Sequence, residues 1–271
     1  MALTDKLKAI ADAIRSKTGN TDSMSLEQMA TEISNISAGG GVEEPYILET
    51  YNASGNLIGA ELVGHTKVRN YTFYYCSELN SVNLSSGIIS IGDNAFYQCT
   101  NLSLSSLPDG ITSIGNSAFG YCSNLTLTSL PDGITSIGSY AFSRCTKLSL
   151  SSLPDGITKI YDATFYECPN LSLSRLPDGI TSIGTSAFYH CTKLSLSSLP
   201  DGITTIGNYA FDTCTSLTSI TFEGTPKTIN SGAFYACTKL TTINVPWAEG
   251  AVSGAPWGAT NATINYNYTG E

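Results

Sequence analysis

Residues 99–121 read CTNLSLSSLPDGITSIGNSAFGY, and this 23-residue unit recurs along most of the chain. The eight cysteines are all 23 residues apart, with a phenylalanine three residues before each one and a leucine three residues after it. A fixed period of roughly 20–50 residues without insertions indicates a solenoid, in which each unit buries its apolar side against its neighbours. We therefore predict core ladders made of Phe73, Cys76, Phe96, Cys99, Phe119, Cys122, Phe142, Cys145, Phe165, Cys168, Phe188, Cys191, Phe211, Cys214, Phe234 and Cys237.

Each repeat is expected to contain a short strand, a turn, a short extended piece in which Ile111 and Ile114 return to the core, and a short helical turn. Serine and leucine nearly alternate over residues 102–107, which is typical of a strand with one polar face. Residues 108–110, Pro-Asp-Gly, then favour a turn. Asn116 or Ser117 is suited to cap one helical turn over residues 118–122. The predicted fold class is therefore an α/β solenoid.

The motifs ITSIGSYAFSRCTKL, at residues 134–148, and INSGAFYACTKLTTINVP, at residues 229–246, resemble the BspA-like leucine-rich repeats of bacteria. The resemblance implies a right-handed leucine-rich repeat solenoid with parallel strands, an interaction surface and no catalysis. Five central repeats carry L-x-L-x-x-L, as at residues 102–107, instead of the family's usual L-x-x-I-x-I. Since strict alternation cannot turn all three leucines inward, we expect a bulge at Ser105 and Ser106.

Composition argues against several functions. Charged residues make up 13% of the 271 residues and the formal net charge is −9, so no basic stripe is available for phosphates and nucleic acid is not an expected partner. The sequence contains no run of about 18 apolar residues, which is the length that would indicate a membrane-spanning helix. The first residues lack the basic start and apolar stretch of a signal peptide.

The cysteines are interpreted as reduced and structural. No C-x-x-C pair exists, and only His65 and His190 are available to assist a zinc site. A buried free cysteine behaves as a small hydrophobe, which fits assembly in a reducing cytoplasm. We predict no metal and no cofactor. One alternative stays open, because stacked aspartates can bind calcium. The repeats place five aspartates in one column, where their role in Pro-Asp-Gly turns is the simpler explanation. These residues are Asp109, Asp132, Asp155, Asp178 and Asp201.

The first 36 residues are predicted to form a two-helix module, joined to the repeats by a glycine-rich linker at residues 37–41. Apolar residues fall on one face of each segment, over residues 4–16 and 25–34. The stretch LTDKLKAIADAIRSKTGNTDSMSLEQMATEISNI, at residues 3–36, resembles an N-terminal segment of tail-associated proteins from phages and prophages of Gram-positive bacteria. That resemblance implies attachment to a virion tail or baseplate protein, and a homotrimer is compatible with it. A helical cap on the solenoid is the alternative.

Both ends of the solenoid are predicted to be covered. Residues 42–63 read as a capping hairpin with strands at 46–51 and 57–63, and the repeats then run over residues 64–246. Residues 247–271 are expected to close the far end with Trp247 and Trp257, for which sugar binding is an alternative.

Function is expected on columns that vary between repeats. No catalytic set emerges, because neither histidine has a repeated acid or nucleophile beside it. Tyrosine offers a large contact area at a low entropy cost, so we predict a surface that binds a polysaccharide or a protein. The Ser/Thr-rich strand face is the rival surface. The predicted ligand-binding residues are Tyr74, Tyr97, Tyr121, Tyr166, Tyr189 and Tyr235.

Two function classes follow. The main hypothesis is a non-enzymatic phage or prophage tail-associated protein, of the tail-fibre or receptor-binding type, located in the virion and displaying its solenoid for host-surface recognition. The alternative is a bacterial cell-surface adhesin or interaction protein with BspA-like repeats, which would need a secretion signal that the chain is not expected to carry. Nothing repeated or unique favours a glycan-modifying enzyme.

Overall fold

The structure is a computed structural model that describes residues 45–270, and within this range it contains only short β-strands and turns. The predicted helices within residues 1–36, and the linker after them, lie outside the described residues. Fifteen strands follow one another along the chain: β1 Tyr46–Tyr51, β2 Leu57–Val63, β3 Lys67–Val68, β4 Ser81–Leu84, β5 Ser90–Ile91, β6 Ser113–Ile114, β7 Ser136–Ile137, β8 Lys159–Ile160, β9 Ser182–Ile183, β10 Ser198–Leu199, β11 Thr205–Ile206, β12 Ser219–Phe222, β13 Thr228–Ile229, β14 Thr242–Asn244 and β15 Thr263–Asn265.

The coils stack through parallel strand ladders. Within the strand orders β3-β5-β6-β7 and β13-β11-β9-β8, the two-residue strand of one coil lies beside its equivalent in the next coil. This strand reads Lys-Val in β3 and Ser-Ile, Lys-Ile or Thr-Ile in the others. Residues 23 apart are opposite one another, as Ser113 is to Ser90 and to Ser136. A second ladder, β10-β12-β14-β15, runs through the C-terminal coils. The sequence period is therefore also the hydrogen-bonding register.

The predicted helical turn before each cysteine is wrong, and with it the α/β assignment: the described residues form a β-solenoid. Alternate amides of this segment bond to the next coil, as Phe96 N donates to Ala118 O at 2.8 Å, and the amides between them close short turns, as Tyr97 N donates to Asn94 O at 3.2 Å. Asn94 and Gln98 also take left-handed backbone angles, with φ of 54° and 58°. An α-helix needs right-handed angles throughout and N–H groups that bond to the carbonyl four residues earlier, so coil stacking prevents one here.

The predicted strand at residues 102–107 is also wrong in four of the five central coils, where the short strand lies at the later Ser-Ile or Lys-Ile pair. In the fifth, β10 occupies the end of the equivalent segment. Leu102, Leu104 and Leu107 are all buried, and the chain bends at Ser105. Because three leucines at this spacing can face inward only if the chain departs from alternation, burial takes precedence over strand geometry.

A stack of eight phenylalanine rings runs through the core from Phe73 to Phe234. Neighbouring ring centroids are 5.1–5.7 Å apart and the rings are tilted by 2–17° from parallel. All eight rings are buried. Aromatic pairs at this separation stabilise the core beyond the burial of their area.

The cysteines form a second column, which is buried from Cys99 onward, and all eight are free thiols. From Cys99 onward each Sγ–H donates to the carbonyl oxygen of the phenylalanine 26 residues earlier, as Cys145 does to Phe119 O at 3.0 Å. Burial raises the pKa of the Cys168 thiol to about 12 and that of Cys145 well above its usual value. The protonated thiol is thus both a small apolar filler and a hydrogen-bond donor between coils.

We expect one fast thiol in the native protein. Cys76 is half-buried while the other seven are buried, and only a thiolate attacks a disulfide reagent. At pH 8, Ellman's reagent should therefore modify one thiol per chain quickly, and eight after unfolding without a reductant. The pKa of Cys76 is raised first by burial and then by Glu49, so its rate should climb as pH rises above 8.

The variant Cys76→Ser should have no fast thiol and seven after unfolding. Fewer than eight thiols in the unfolded native sequence would show disulfides, and several fast thiols before unfolding would show an open core.

The hairpin and the far end extend the ladders. Strand β1 pairs with β2 antiparallel, and β2 pairs with β4 parallel, so the hairpin continues the first coil. At the other end β15 pairs with β14, and Trp247 and Trp257 are buried with Phe222 among them. The tryptophan rings therefore pack inside and do not offer a face to a sugar in solvent.

Candidate ligand-binding surface

Small residues interrupt one column of tyrosines. The residue two before each cysteine reads Tyr74, Tyr97, Gly120, Ser143, Tyr166, Tyr189, Asp212 and Tyr235. Because the coils repeat with a constant period, two small side chains in succession remove two rings from an otherwise aromatic row. We call the resulting depression the tyrosine pocket.

The tyrosine pocket has a volume of about 710 Å³. Buried small residues line its base, namely Gly120, Ser143 and Ala163, and Ser143 is only 4% exposed. A Cβ atom on Gly120 would lie 2.9 Å from Cδ2 of Tyr97, so that ring lies directly against the glycine. The remaining lining residues are Tyr97, Ser117, Tyr121, Tyr140, Arg144, Asp162, Tyr166, Thr185 and Ser186.

The turns of the fold set the backbone of several lining residues. Tyr121, Tyr140 and Arg144 have φ of 63°, 58° and 60°, in the left-handed region that large side chains rarely adopt. The equivalent residues of other coils, such as His190 and Tyr209, have the same conformation. This backbone is therefore a property of the repeat, and only the side chains differ at the pocket.

Arg144 is held in place as one wall of the pocket. Its Nη2 donates to Oε1 of Glu167 at 3.2 Å and its Nε lies 3.2 Å from Oε2 of the same carboxylate. Its guanidinium carbon lies 5.1 Å from the centroid of the Tyr121 ring and 6.0 Å from that of Tyr166. The nearby charge of Glu167 is the main cause that raises the pKa of Arg144. The guanidinium has five N–H donors, which is more than its contacts with Glu167 and Tyr166 use, so it still has hydrogen bonds to offer.

Neutral and acidic groups complete the lining. Oδ1 of Asp162 accepts a hydrogen bond from the amide of Thr185 at 2.7 Å, which fixes the carboxylate at the pocket. Desolvation is the main cause that raises the pKa of Tyr97 and of Tyr166 above the ordinary phenol value. Both phenols are therefore uncharged at neutral pH and serve as donors and acceptors.

The structure brings five of the six predicted binding tyrosines into two groups. Tyr74, Tyr97 and Tyr121 follow one another in ring contact, with centroids 5.4 and 5.3 Å apart. Tyr166 stacks on Tyr189 at 4.7 Å, on the other side of the small residues. Tyr235 is exposed and lies apart from both groups, with Asp212 between it and Tyr189 in the column.

Sequence reasoning alone did not single out the residues that make the surface concave. Gly120, Ser143 and Ala163 create the space, while Tyr140, Arg144 and Asp162 line it. The detectable signal was the loss of large side chains at two successive repeats, in a chain that otherwise changes little from one repeat to the next.

The sequence also suggested a calcium site at the aspartate column and a binding surface on the serine-rich face. Across residues 45–270, no group of three or more His, Cys, Asp and Glu side chains is arranged to hold a metal ion. Instead, Arg175 approaches Asp155 and Asp178 in the aspartate column, at 3.9 and 3.7 Å. On the rival serine-rich face, a depression of about 450 Å³ is lined by serines, leucines and Asp109, without an aromatic ring. Within the described range no helix has the length and apolar character needed to cross a membrane.

Comparison with known proteins identifies the repeats. Residues 66–195 and 158–250, together well over half of the chain, match the description "BspA type Leucine rich repeat region" in six copies. No curated protein matches the chain.

Several solved structures share the fold. A leucine-rich repeat protein from Bacteroides ovatus is 20% identical with a TM-score of 0.51, and the match covers 84% of this chain and 76% of that one. The leucine-rich repeat protein of T. pallidum is 27% identical with a TM-score of 0.51, over 64% of this chain and 88% of that one. A leucine-rich cell surface protein from Faecalibacterium prausnitzii is 24% identical with a TM-score of 0.54, over 75% and 70%.

Proposed function

Because this chain belongs to the BspA-type leucine-rich repeat family, we propose that it is a non-enzymatic binding protein of the bacterial cell surface. In this proposal the solenoid of residues 64–246 carries the binding surface, the hairpin of residues 42–63 and the cap of residues 247–271 protect its ends, and the partner is a polysaccharide or a protein. The matched family is a family of repeats and not one of enzymes, and one structure with the same fold is described as a cell surface protein.

The tyrosine pocket is the observation that carries the proposal. Tyrosine and arginine are the residue types that most often dominate binding surfaces, and here Tyr97, Tyr121, Tyr166 and Arg144 converge on one concave site. In our proposal Tyr74 and Tyr189 form the two ends of this surface along the axis, and Tyr235, beyond Asp212, lies outside it.

The virion hypothesis has less support. It depends on the resemblance of residues 3–36 alone, which lie outside the described residues, and none of the similar proteins reported above is a phage protein. Light scattering offers a test, because an assembly module predicts that the full chain is a trimer and that a chain beginning at Val42 is a monomer.

Binding to an array tests the proposed function. We expect the full chain to bind at least one member of an array of immobilised bacterial and host glycans and extracellular proteins. The triple variant Tyr97→Ala, Tyr121→Ala, Tyr166→Ala should lose that binding, since it removes the aromatic walls. Tyr209→Ala, an exposed tyrosine outside the pocket, serves as the control.

Circular dichroism and the urea midpoint of each variant establish that it is folded. No binding anywhere on the array, or binding that the folded triple variant retains, would contradict the proposal.

A further inference from the structure

We infer that the tyrosine pocket binds a neutral saccharide unit of a glycan. This inference rests on the proposed function and names the ligand of the same site.

Ring faces are the first reason. The tyrosines on each side of the small residues are packed against one another, as Tyr74 is on Tyr97 and Tyr166 on Tyr189, so most of their faces are covered. Where Gly120 and Ser143 replace the next rings, the Tyr140 ring lines the pocket and is 51% exposed, so it is open to a ligand. The rings of Tyr121 and Tyr166 add the surface that the guanidinium of Arg144 does not cover. A pyranose carries C–H groups on its faces and hydroxyls around its edge, so it pairs an apolar face with an aromatic ring and leaves its hydroxyls to polar partners.

The second reason is that both hydrogen-bond donors and hydrogen-bond acceptors line the pocket. The guanidinium of Arg144 offers donors, the carboxylate of Asp162 offers acceptors, and hydroxyls of serine and tyrosine do both. A sugar hydroxyl donates one hydrogen bond and accepts others, so a ring with several hydroxyls needs such a mixture. An apolar peptide side chain would exclude water from these groups and leave them without hydrogen-bond partners, which opposes its binding.

Charge is the third reason. Among the described residues, Arg144 is the one cation that lines the pocket, and it is already paired with Glu167, while Asp162 adds a negative charge. The whole chain has a formal net charge of −9. A phosphate, sulfate or uronic acid would therefore meet no uncompensated positive charge and would be repelled, whereas a neutral ring is not.

Size is the fourth reason. A volume of about 710 Å³ falls within the range of roughly 300–1,000 Å³ that is usual for small-molecule sites. A protein partner would need a broad surface of about 800 Å² on each side, most of which would lie outside this depression. The pocket thus fits a unit of one to a few sugar rings within a longer chain.

Calorimetric titration with soluble saccharides tests the inference. Maltose, cellobiose, lactose and N,N′-diacetylchitobiose are added up to about 10 mM, because single-site sugar contacts of this size are expected to give millimolar to micromolar affinity. At least one should bind. Glucose, glucosamine and glucuronate, which share one ring and differ in charge, should show that the acid binds weakest.

A matched pair of variants locates the site. Tyr140 and Tyr209 occupy the same position of their repeats, three coils apart, and are 51% and 47% exposed, but only Tyr140 lines the pocket. Tyr140→Ala should weaken saccharide binding by on the order of tenfold, and Tyr209→Ala by less than twofold.

Three results would overturn the inference: glucuronate binding more tightly than glucose, equal effects of the two variants, or no saccharide binding at all. If no saccharide binds but a protein on the array does, in a way that depends on Tyr97, Tyr121 and Tyr166, the saccharide inference is wrong and the proposed function stands. If nothing binds in either experiment, both are wrong.

Discussion

Phe142→Ala is expected to lower the free energy of unfolding by about 3–5 kcal/mol, which is the range for removing a fully buried phenylalanine from a core. The Phe142 ring is inaccessible to solvent and stacks on Phe119 and Phe165, with centroids 5.5 and 5.7 Å away and tilts of 4° and 2°. Since each coil contacts only its neighbours, other parts of the core cannot collapse into the space.

Because Phe142 lies in a central coil, we expect its replacement by alanine to have a second effect, on the cooperativity of unfolding. In a solenoid the coupling between the two halves passes through the interfaces of each single coil. A cavity at a central coil should therefore weaken the coupling between the halves and broaden the unfolding transition, as well as shift its midpoint.

Urea unfolding followed by circular dichroism measures both effects. Phe142→Leu, which keeps much of the volume, should cost less than about half as much as Phe142→Ala. A loss below about 1 kcal/mol for Phe142→Ala would mean that the phenylalanine ladder does not hold the central coils together.

The sequence period predicted the interior well because it constrains equivalent side chains directly. A phenylalanine and a cysteine at a constant spacing, as at Phe142 and Cys145, must occupy equivalent places in every coil. The solenoid class and the strand ranges of the hairpin follow from the same kind of pattern. The hydrogen bond from each cysteine to a carbonyl could not be predicted in this way, because spacing alone does not report which polar atom a thiol faces.

The backbone between the core positions was harder to predict. The segment from Asn116 to Cys122 has helical apolar spacing, but its amides alternate between their own turn and the next coil, so turns with left-handed residues replace a helix. Local patterns carry no information about hydrogen bonds to a residue 22 positions away. The leucines of residues 102–107 misled in the same way, since burial in a stacked coil overrides strand alternation.

The candidate site was predicted in part. Tyrosines were singled out from the columns that vary, and five of the six lie in two groups beside the pocket. Their concave arrangement depends on residues that are uninformative when each is considered alone, above all Gly120 and Ser143. In a repeat protein a small residue matters by contrast with its equivalents in the neighbouring coils.

Filling the pocket is expected to have the largest effect on binding. Tyrosines on successive coils of this column stack on one another, with centroids 4.7 Å apart for Tyr166 and Tyr189. In Ser143→Tyr the new ring should continue this stack from Tyr166, occupy the pocket and leave the stability unchanged or slightly higher. Asp212→Tyr makes the same kind of replacement at the same repeat position, three coils away, where the native residue is also buried, at 7% exposure against 4% for Ser143.

The most direct test of the account is to compare the affinity of the native chain, Ser143→Tyr and Asp212→Tyr for the array member that binds the native chain. The account predicts at least a tenfold loss for Ser143→Tyr and less than a twofold change for Asp212→Tyr, with both variants folded. Unchanged affinity in a folded Ser143→Tyr chain would contradict the account and would place the binding surface elsewhere on the solenoid.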